Sequence, residues 1–265
     1  MLLKIAHTTT YQYDQPIGYA LQKARLRPQK VPVQTVLDWN IDVQGGVIET
    51  SYTDQYGNHV DLINVERGAQ QVTITAQGSV ETHNDTGVLG KIYGSAPLWH
   101  FRQETTATAA GDAVRALSNG VSAASDRLDA LHRLSERILD AAPYEIGKTT
   151  HETLAEEALK IGAGVCQDHA QIFIAAARDQ GIAARYVSGY LMMNDRIDQD
   201  ATHAWAEAHI DGLGWVGFDI SNGVSPDGRY VRIAVGRDAR DAAPTEGMRM
   251  GPAQEQMIVS LQVQQ

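Results

Sequence analysis

Gly162-Ala163-Gly164-Val165-Cys166-Gln167-Asp168-His169-Ala170-Gln171-Ile172-Phe173-Ile174-Ala175-Ala176-Ala177-Arg178-Asp179-Gln180-Gly181 is the stretch that orders the rest of the chain. Gly162 and Gly164 suit a tight approach turn, and Gly181 suits a helix C-terminus, so a helix is expected from near Val165 to Gln180. Cys166 then lies in its first turn, where unpaired backbone N–H groups and the positive end of the helix dipole favour thiolate over thiol. Ala170, Ile174 and Ala177 follow at helical spacing, so Cys166 shares the buried, sheet-facing side. Their small size lets the helix approach a sheet closely. Cys166 is the only cysteine among 265 residues, which excludes an internal disulfide and leaves the fold to packing.

Strands are expected after this helix, over Ala183 to Met193, His203 to Ile210, Gly214 to Asp219, and Tyr230 to Val235. In the second, His203, Trp205, Glu207 and His209 alternate with apolar Ala204, Ala206, Ala208 and Ile210. Asp211-Gly212-Leu213-Gly214 reads as a tight reversal, so the third should return antiparallel. If the turn pairs His209 with Leu213, His203 falls opposite Asp219; other loop lengths shift this by a residue or two. Met257 to Val263 alternates again and should join a sheet.

Before the helix, Leu128, Leu131, Leu134, Ile138 and Leu139 recur at helical spacing behind a Ser125-Asp126 cap, and a short helix is expected near Thr153 to Leu159. The first third alternates with period two over Leu3 to Tyr13, Leu37 to Val43 and Val72 to Gln77. Turns fall at Asp14-Gln15-Pro16, Gly45-Gly46 and Tyr56-Gly57-Asn58, the spacing of a small antiparallel β-sandwich. The expected organisation is α+β: a β-sandwich domain over 1–85, a glycine-punctuated linker over 86–103, and a domain over 104–265 in which the cysteine helix packs on an antiparallel sheet.

The composition is 43% hydrophobic, enough for a substantial core, and the formal net charge of −10 argues against a nucleic-acid partner. The N-terminus lacks the apolar region of a signal peptide, no stretch reaches membrane-spanning length, and a lone free thiol suits the cytoplasm, the expected location. Oligomeric state is not encoded in any recognisable pattern.

Cys166, His203 and Asp219 occur in the order nucleophile, base, orienting carboxylate, each residue type supplying one part of thiol catalysis. Taken singly, each has an ordinary structural role: a buried thiol, a packing histidine, a strand-ending aspartate. Together with the glycine turn and helix start they agree on one chemistry. His169, three residues after the cysteine, is a rival base, though Asp168 is its only nearby carboxylate and points elsewhere. A zinc site built from His169, His203 and His209 lacks a recognisable ligand spacing, so no metal and no cofactor are expected. Trp205 and Trp215 are candidate walls of a substrate cleft, or ordinary sheet packing. An oxyanion hole needs two donors. The Cys166 N–H is one; Tyr144 and Gln167 are candidates for the other.

Several ordered blocks resemble the bacterial transglutaminase-like proteins, a group often described as cysteine proteases. They are Gly164-Val165-Cys166-Gln167-Asp168-His169-Ala170, Gly181 to Tyr190, His203-Ala204-Trp205-Ala206-Glu207, Gly214 to Asp219, and Val235-Gly236-Arg237-Asp238. The N-terminal third resembles the β-rich region that precedes this core in the same group. The resemblance implies a papain-like transglutaminase core with Cys166 as nucleophile, His203 as base and Asp219 as orienter. It also implies acyl transfer from a peptide or protein substrate through a thioester, with hydrolysis expected over transfer to an amine; a catalytically idle peptide-binding module is the alternative reading. Animal members of the superfamily use calcium; no calcium-loop motif is present here, and none is expected to be needed.

Overall fold

The computed structural model describes residues 1–83, 86–92 and 94–265. Six strands come first: β1 (Leu2–Tyr13), β2 (Tyr19–Ala24), β3 (Gln34–Gln44), β4 (Gly46–Thr53), β5 (His59–Val65) and β6 (Gln71–Thr82). A short β7 (Val88–Gly90) leads to the helices α1 (Asp112–Ser118), α2 (Arg127–Ala141), α3 (Ala155–Ile161) and α4 (Cys166–Asp179). The remaining strands are β8 (Ala184–Leu191), β9 (Asp198–Gln199), β10 (His203–Ile210), β11 (Gly214–Phe218), β12 (Tyr230–Gly236), β13 (Thr245–Met250) and β14 (Glu255–Gln264).

Alternation builds the sandwich. Leu3, Ile5, His7, Thr9, Tyr11 and Tyr13 of β1 are buried, and so are Val72, Ile74, Ala76 and Val80 of β6, while the residues between them face outward or are half-covered. One sheet has the order β3-β6-β1-β14-β9 and the other β13-β2-β5-β4. They meet across a shared core, where the Tyr11 hydroxyl of the first donates to Thr245 Oγ1 of the second at 2.7 Å. Gly45 and Gly57, both at positive φ, make the β3–β4 and β4–β5 reversals, as the turn signals indicate.

The third sheet, β12-β8-β10-β11-β7, is antiparallel and carries α4 on one face. Asp126 caps α2 by accepting from the Asp129 N–H at 3.0 Å, and Gly181 follows α4 at φ +73°, both as expected from sequence. Small α4 residues such as Ala170, Ala176 and Ala177 are fully buried, and Phe173 stacks on Phe218 of β11 with ring centroids 4.8 Å apart. The architecture is α+β, with mostly antiparallel sheets and few helices.

The expected partition of the chain needs two corrections. The segment expected as linker supplies β7, which pairs with β11 and so belongs to the α4-bearing sheet. The C-terminal strands leave that sheet: β13 pairs along β2 and β14 along all but the start of β1, completing both layers of the sandwich. A central β1 needs a partner on each side, and only the returning C-terminus supplies the second. The expected boundary at residue 85 itself lies outside the described residues.

Candidate active site

Cys166 opens α4 through a locally enforced turn. Gly162 ends α3 in the left-handed region, at φ +76°. A side chain at Gly164 would place its Cβ 2.8 Å from the Asp168 Cβ, so glycine is required by close approach. Asp168 Oδ2 accepts from the Val165 N–H at 2.8 Å and from Thr149 Oγ1 at 2.6 Å, satisfying an orphan donor of the helix start. The Gly164 N–H donates to Pro143 O at 3.2 Å and its carbonyl accepts from the Glu145 N–H at 2.9 Å. That short parallel bridge brings Tyr144 alongside the cysteine, which is free and half-buried.

His203, the first residue of β10, is buried and donates from Nε2 to Asp219 Oδ2 at 2.6 Å. Its other nitrogen, Nδ1, is not engaged by Asp219, and Cys166 is near enough to the ring to help raise its pKa. Asp219 is fully buried and follows directly on β11. Its Oδ2 accepts further from the Tyr230 hydroxyl at 2.7 Å and from Asn222 Nδ2 at 2.7 Å. Burial alone pushes the His203 pKa down, but the hydrogen bonds and charges of Asp219 and Cys166 outweigh it and raise the value to about 10. Burial likewise opposes ionisation of Asp219, and the bonds from His203, Asn222 and Tyr230 bring its pKa below the ordinary carboxylate value. The Asp219 carboxylate beside the ring thus favours the protonated imidazole.

The route by which His203 reaches Asp219 differs from the register expected from sequence. His209 pairs with Trp215 and Ile210 with Gly214, so Leu213 stays in the turn, and the β10–β11 ladder ends at Ala206 and Phe218. Continued one step, the ladder would set Asp219 opposite Trp205, a diagonal step from His203 on the same face. The chain instead turns at Asp219, which bridges to Val224, and the carboxylate swings to the histidine.

His169 is not placed as a base. Its ring is fully buried, donates from Nε2 to Ala142 O at 2.7 Å, and accepts at Nδ1 from Ser221 Oγ at 2.8 Å. Burial holds its pKa below the ordinary histidine value. It clamps the segment leading to Tyr144 onto the loop behind Asp219. His209 packs edge-on against Trp215 at 5.5 Å, and among the described residues no group of three or more His, Cys, Asp or Glu side chains is set to hold a metal.

The other candidates divide. Tyr144 is half-exposed, and burial first, then Cys166, raises its pKa above the ordinary phenol value. Gln167 spends an amide N–H on His151 O at 3.1 Å. Trp205 and Trp215 are corrections to the expected cleft walls. They are 2% and 1% exposed, in the apolar cluster on the sheet face opposite α4, and present no surface to a substrate. Tyr230, Asn222 and the His169–Ser221 clamp were missed from sequence. Asn222-Gly223 is a turn dipeptide that could have flagged the loop after Asp219, but nothing local to Tyr230 predicts its bond.

Residues 115–220 match the transglutaminase-like superfamily, and residues 3–81 match the bacterial transglutaminase-like N-terminal region. An uncharacterized protein of Mycobacterium leprae is 26% identical, with 98% of each chain covered. An uncharacterized protein of Mycobacterium tuberculosis is 29% identical over 92% of this chain and 86% of its own. The crystal structure of a "Putative Cysteine Protease" from Cytophaga hutchinsonii shares the fold, with a TM-score of 0.80 and 23% identity over 99% of this chain and 90% of that one.

Proposed function

The chain belongs to the bacterial transglutaminase-like proteins, and on that premise we propose that it is a thiol hydrolase of amide bonds in peptides or proteins. One arrangement carries this: a buried His203 that bonds the Asp219 carboxylate at 2.6 Å and feels Cys166, the residue that opens α4. In the proposed reaction the Cys166 thiolate attacks the carbonyl carbon, and the oxygen takes the negative charge. The Cys166 N–H, at a helix start with no preceding carbonyl to bond, faces that oxyanion, and Tyr144 is the candidate second donor. Collapse breaks the C–N bond while the His203 imidazolium hands its proton to the leaving amine, leaving a thioester. Water then attacks the thioester, His203 takes its proton, and the acid departs as the thiolate re-forms. Asp219 keeps the Nε2 proton in place throughout, so that Nδ1 is the nitrogen that works.

Hydrolysis is preferred over transfer to an amine because water is the abundant acceptor and no amine site is advertised near Cys166. The test is labelling of the intact protein with a small acyl-type thiol probe, with the adduct mapped by mass spectrometry. An adduct on Cys166 that forms at least about tenfold more slowly in His203→Ala is expected. Equal labelling with and without His203 would overturn the proposal. A primary amine supplied with a peptide substrate separates the outcomes, since a conjugate in place of the free acid would reassign the enzyme to transamidation.

A further inference from the structure

On the sheet face opposite α4, a cavity of about 320 Å³ opens between the loop after β2, the β4–β5 turn and the edge of the α4-bearing sheet. Its charged lining is cationic: Arg27, Lys30, Arg185 and, when protonated, His59, with no carboxylate among the described residues of the wall. Two of these are answered from behind, because the buried Asp61 accepts from Arg27 Nε at 2.8 Å and from His59 Nε2 at 3.1 Å. Arg185 is answered only in part. Its side chain is 7% exposed, lies 4.0 Å over the Trp215 ring, and spends Nε on Glu207 Oε2 at 2.7 Å. Among the described residues its two terminal amino groups make no hydrogen bond.

Glu207 cannot neutralise it alone, because its other oxygen is bonded to Arg232. Two buried guanidiniums thus share one carboxylate, leaving one positive charge in an apolar setting that desolvation makes costly unless a further anion is present. Lys30, exposed at the rim, forms no ion pair among the described residues. Val31, Leu89, Ile92 and Val235 give the wall an apolar stretch beside the polar Gln29 and Thr53. The surplus of positive charge occurs in a chain whose formal net charge is −10.

We propose that this cavity binds a small organic anion, its carboxylate or phosphate head against Arg185 and Lys30 and its apolar body against Val31, Leu89 and Ile92. The volume is at the lower end of small-molecule sites, which suits a body of a few carbons. The site is separate from Cys166, His203 and Asp219, so the proposal stands whether or not the thiol chemistry does.

Titration of the full-length protein with hexanoate, hexyl phosphate, inorganic phosphate and hexanol tests it, read by intrinsic fluorescence and by calorimetry. The two amphiphilic anions should bind saturably, about tenfold or more tighter than hexanol, and more weakly as salt rises. The stronger of the two identifies the head group, and a weaker response to inorganic phosphate shows that the apolar wall contributes. Trp215→Phe should remove most of the fluorescence response and keep the heat of binding. Lys30→Glu, at an exposed position that leaves the fold intact, should weaken the anions about tenfold or more and leave hexanol unchanged. Hexanol binding as tightly as hexanoate, no saturable binding of any anion, or equal affinity in Lys30→Glu would each overturn the proposal.

Discussion

The Asp219 carboxylate accepts from His203, Tyr230 and Asn222 at 2.6–2.7 Å, all at Oδ2, and that crowding separates its chemical from its structural role. Asp219→Asn keeps the shape but favours the tautomer with the proton on Nδ1, where it cannot accept from the thiol. Turnover of a peptide substrate should fall by up to ~10⁴-fold on the serine-triad precedent, with the unfolding midpoint little changed. Asp219→Ala leaves a buried imidazole and a buried phenol without that partner, at about 1–3 kcal/mol for each orphaned group, so urea denaturation should rank it least stable. Cys166→Ala should abolish turnover and preserve folding. The pKa of His203 sits above that of an unfolded histidine, so its contribution to stability is full below pH 6.5 and lost as pH rises through about 10. Asp219 behaves oppositely: its contribution holds above pH 3.8 and fades in acid. The gap in urea midpoint between wild type and His203→Gln should therefore be widest near pH 6 and narrow by pH 10. A gap independent of pH would mean that the ring is neutral.

The first turn of α4 is the element on which the site depends. Its position is set from three sides: Asp168 holds the Val165 N–H and Thr149, Gly164 pairs with the Tyr144 segment, and His169 ties Ala142 to Ser221. Gly164→Ala puts a Cβ 2.8 Å from the Asp168 Cβ, so the helix start must shift. Circular dichroism should be unchanged while turnover falls by about 10²-fold, the scale of an ångström's misplacement of a reacting group. Full activity in that variant would show that the turn yields without disturbing Cys166. Elements of this kind were legible beforehand because glycine spacing and helical periodicity are local. By contrast β13, Thr245–Met250, has no fully buried residue and carries a glycine, so no alternation marks it. It is a strand because the edge of β2 offers it a partner.

At the scale of the molecule, the C-terminus is part of the first domain to be laid down. β14 runs beside β1 from Lys4–Gln264 to Tyr13–Glu255 and buries Leu261 and Val263 in the common core. The sandwich and the α4-bearing sheet are further joined by His7, whose Nδ1 lies 3.0 Å from the Tyr190 hydroxyl, and by Asn58, which pairs with both the N–H and carbonyl of Val235 at 2.8 Å. Removing residues 245–265 should therefore unpair an edge in each sandwich sheet and abolish the cooperative unfolding transition seen by circular dichroism. A truncated chain with the wild-type midpoint would make these strands an appendage. No helix among the described residues is long and apolar enough to cross a membrane.

The amino-acid sequence by itself determined what depends on neighbours along the chain: the glycine turn into α4, the caps of α2 and α4, and the alternation of β1, β6 and β10. It also brought forward the three residue types Cys166, His203 and Asp219, in order. Only the tertiary structure decided how these parts meet. It set the β10–β11 register two residues from the one expected, buried Trp205 and Trp215 on the far face, and gave Asp219 its second and third donors, Tyr230 and Asn222. It also returned the C-terminal strands to the N-terminal sheets. The division has one physical cause. Side-chain periodicity and turn chemistry are fixed by local sterics, whereas pairing partner and register are chosen by which distant surfaces bury the most together, and no short window of sequence contains that sum.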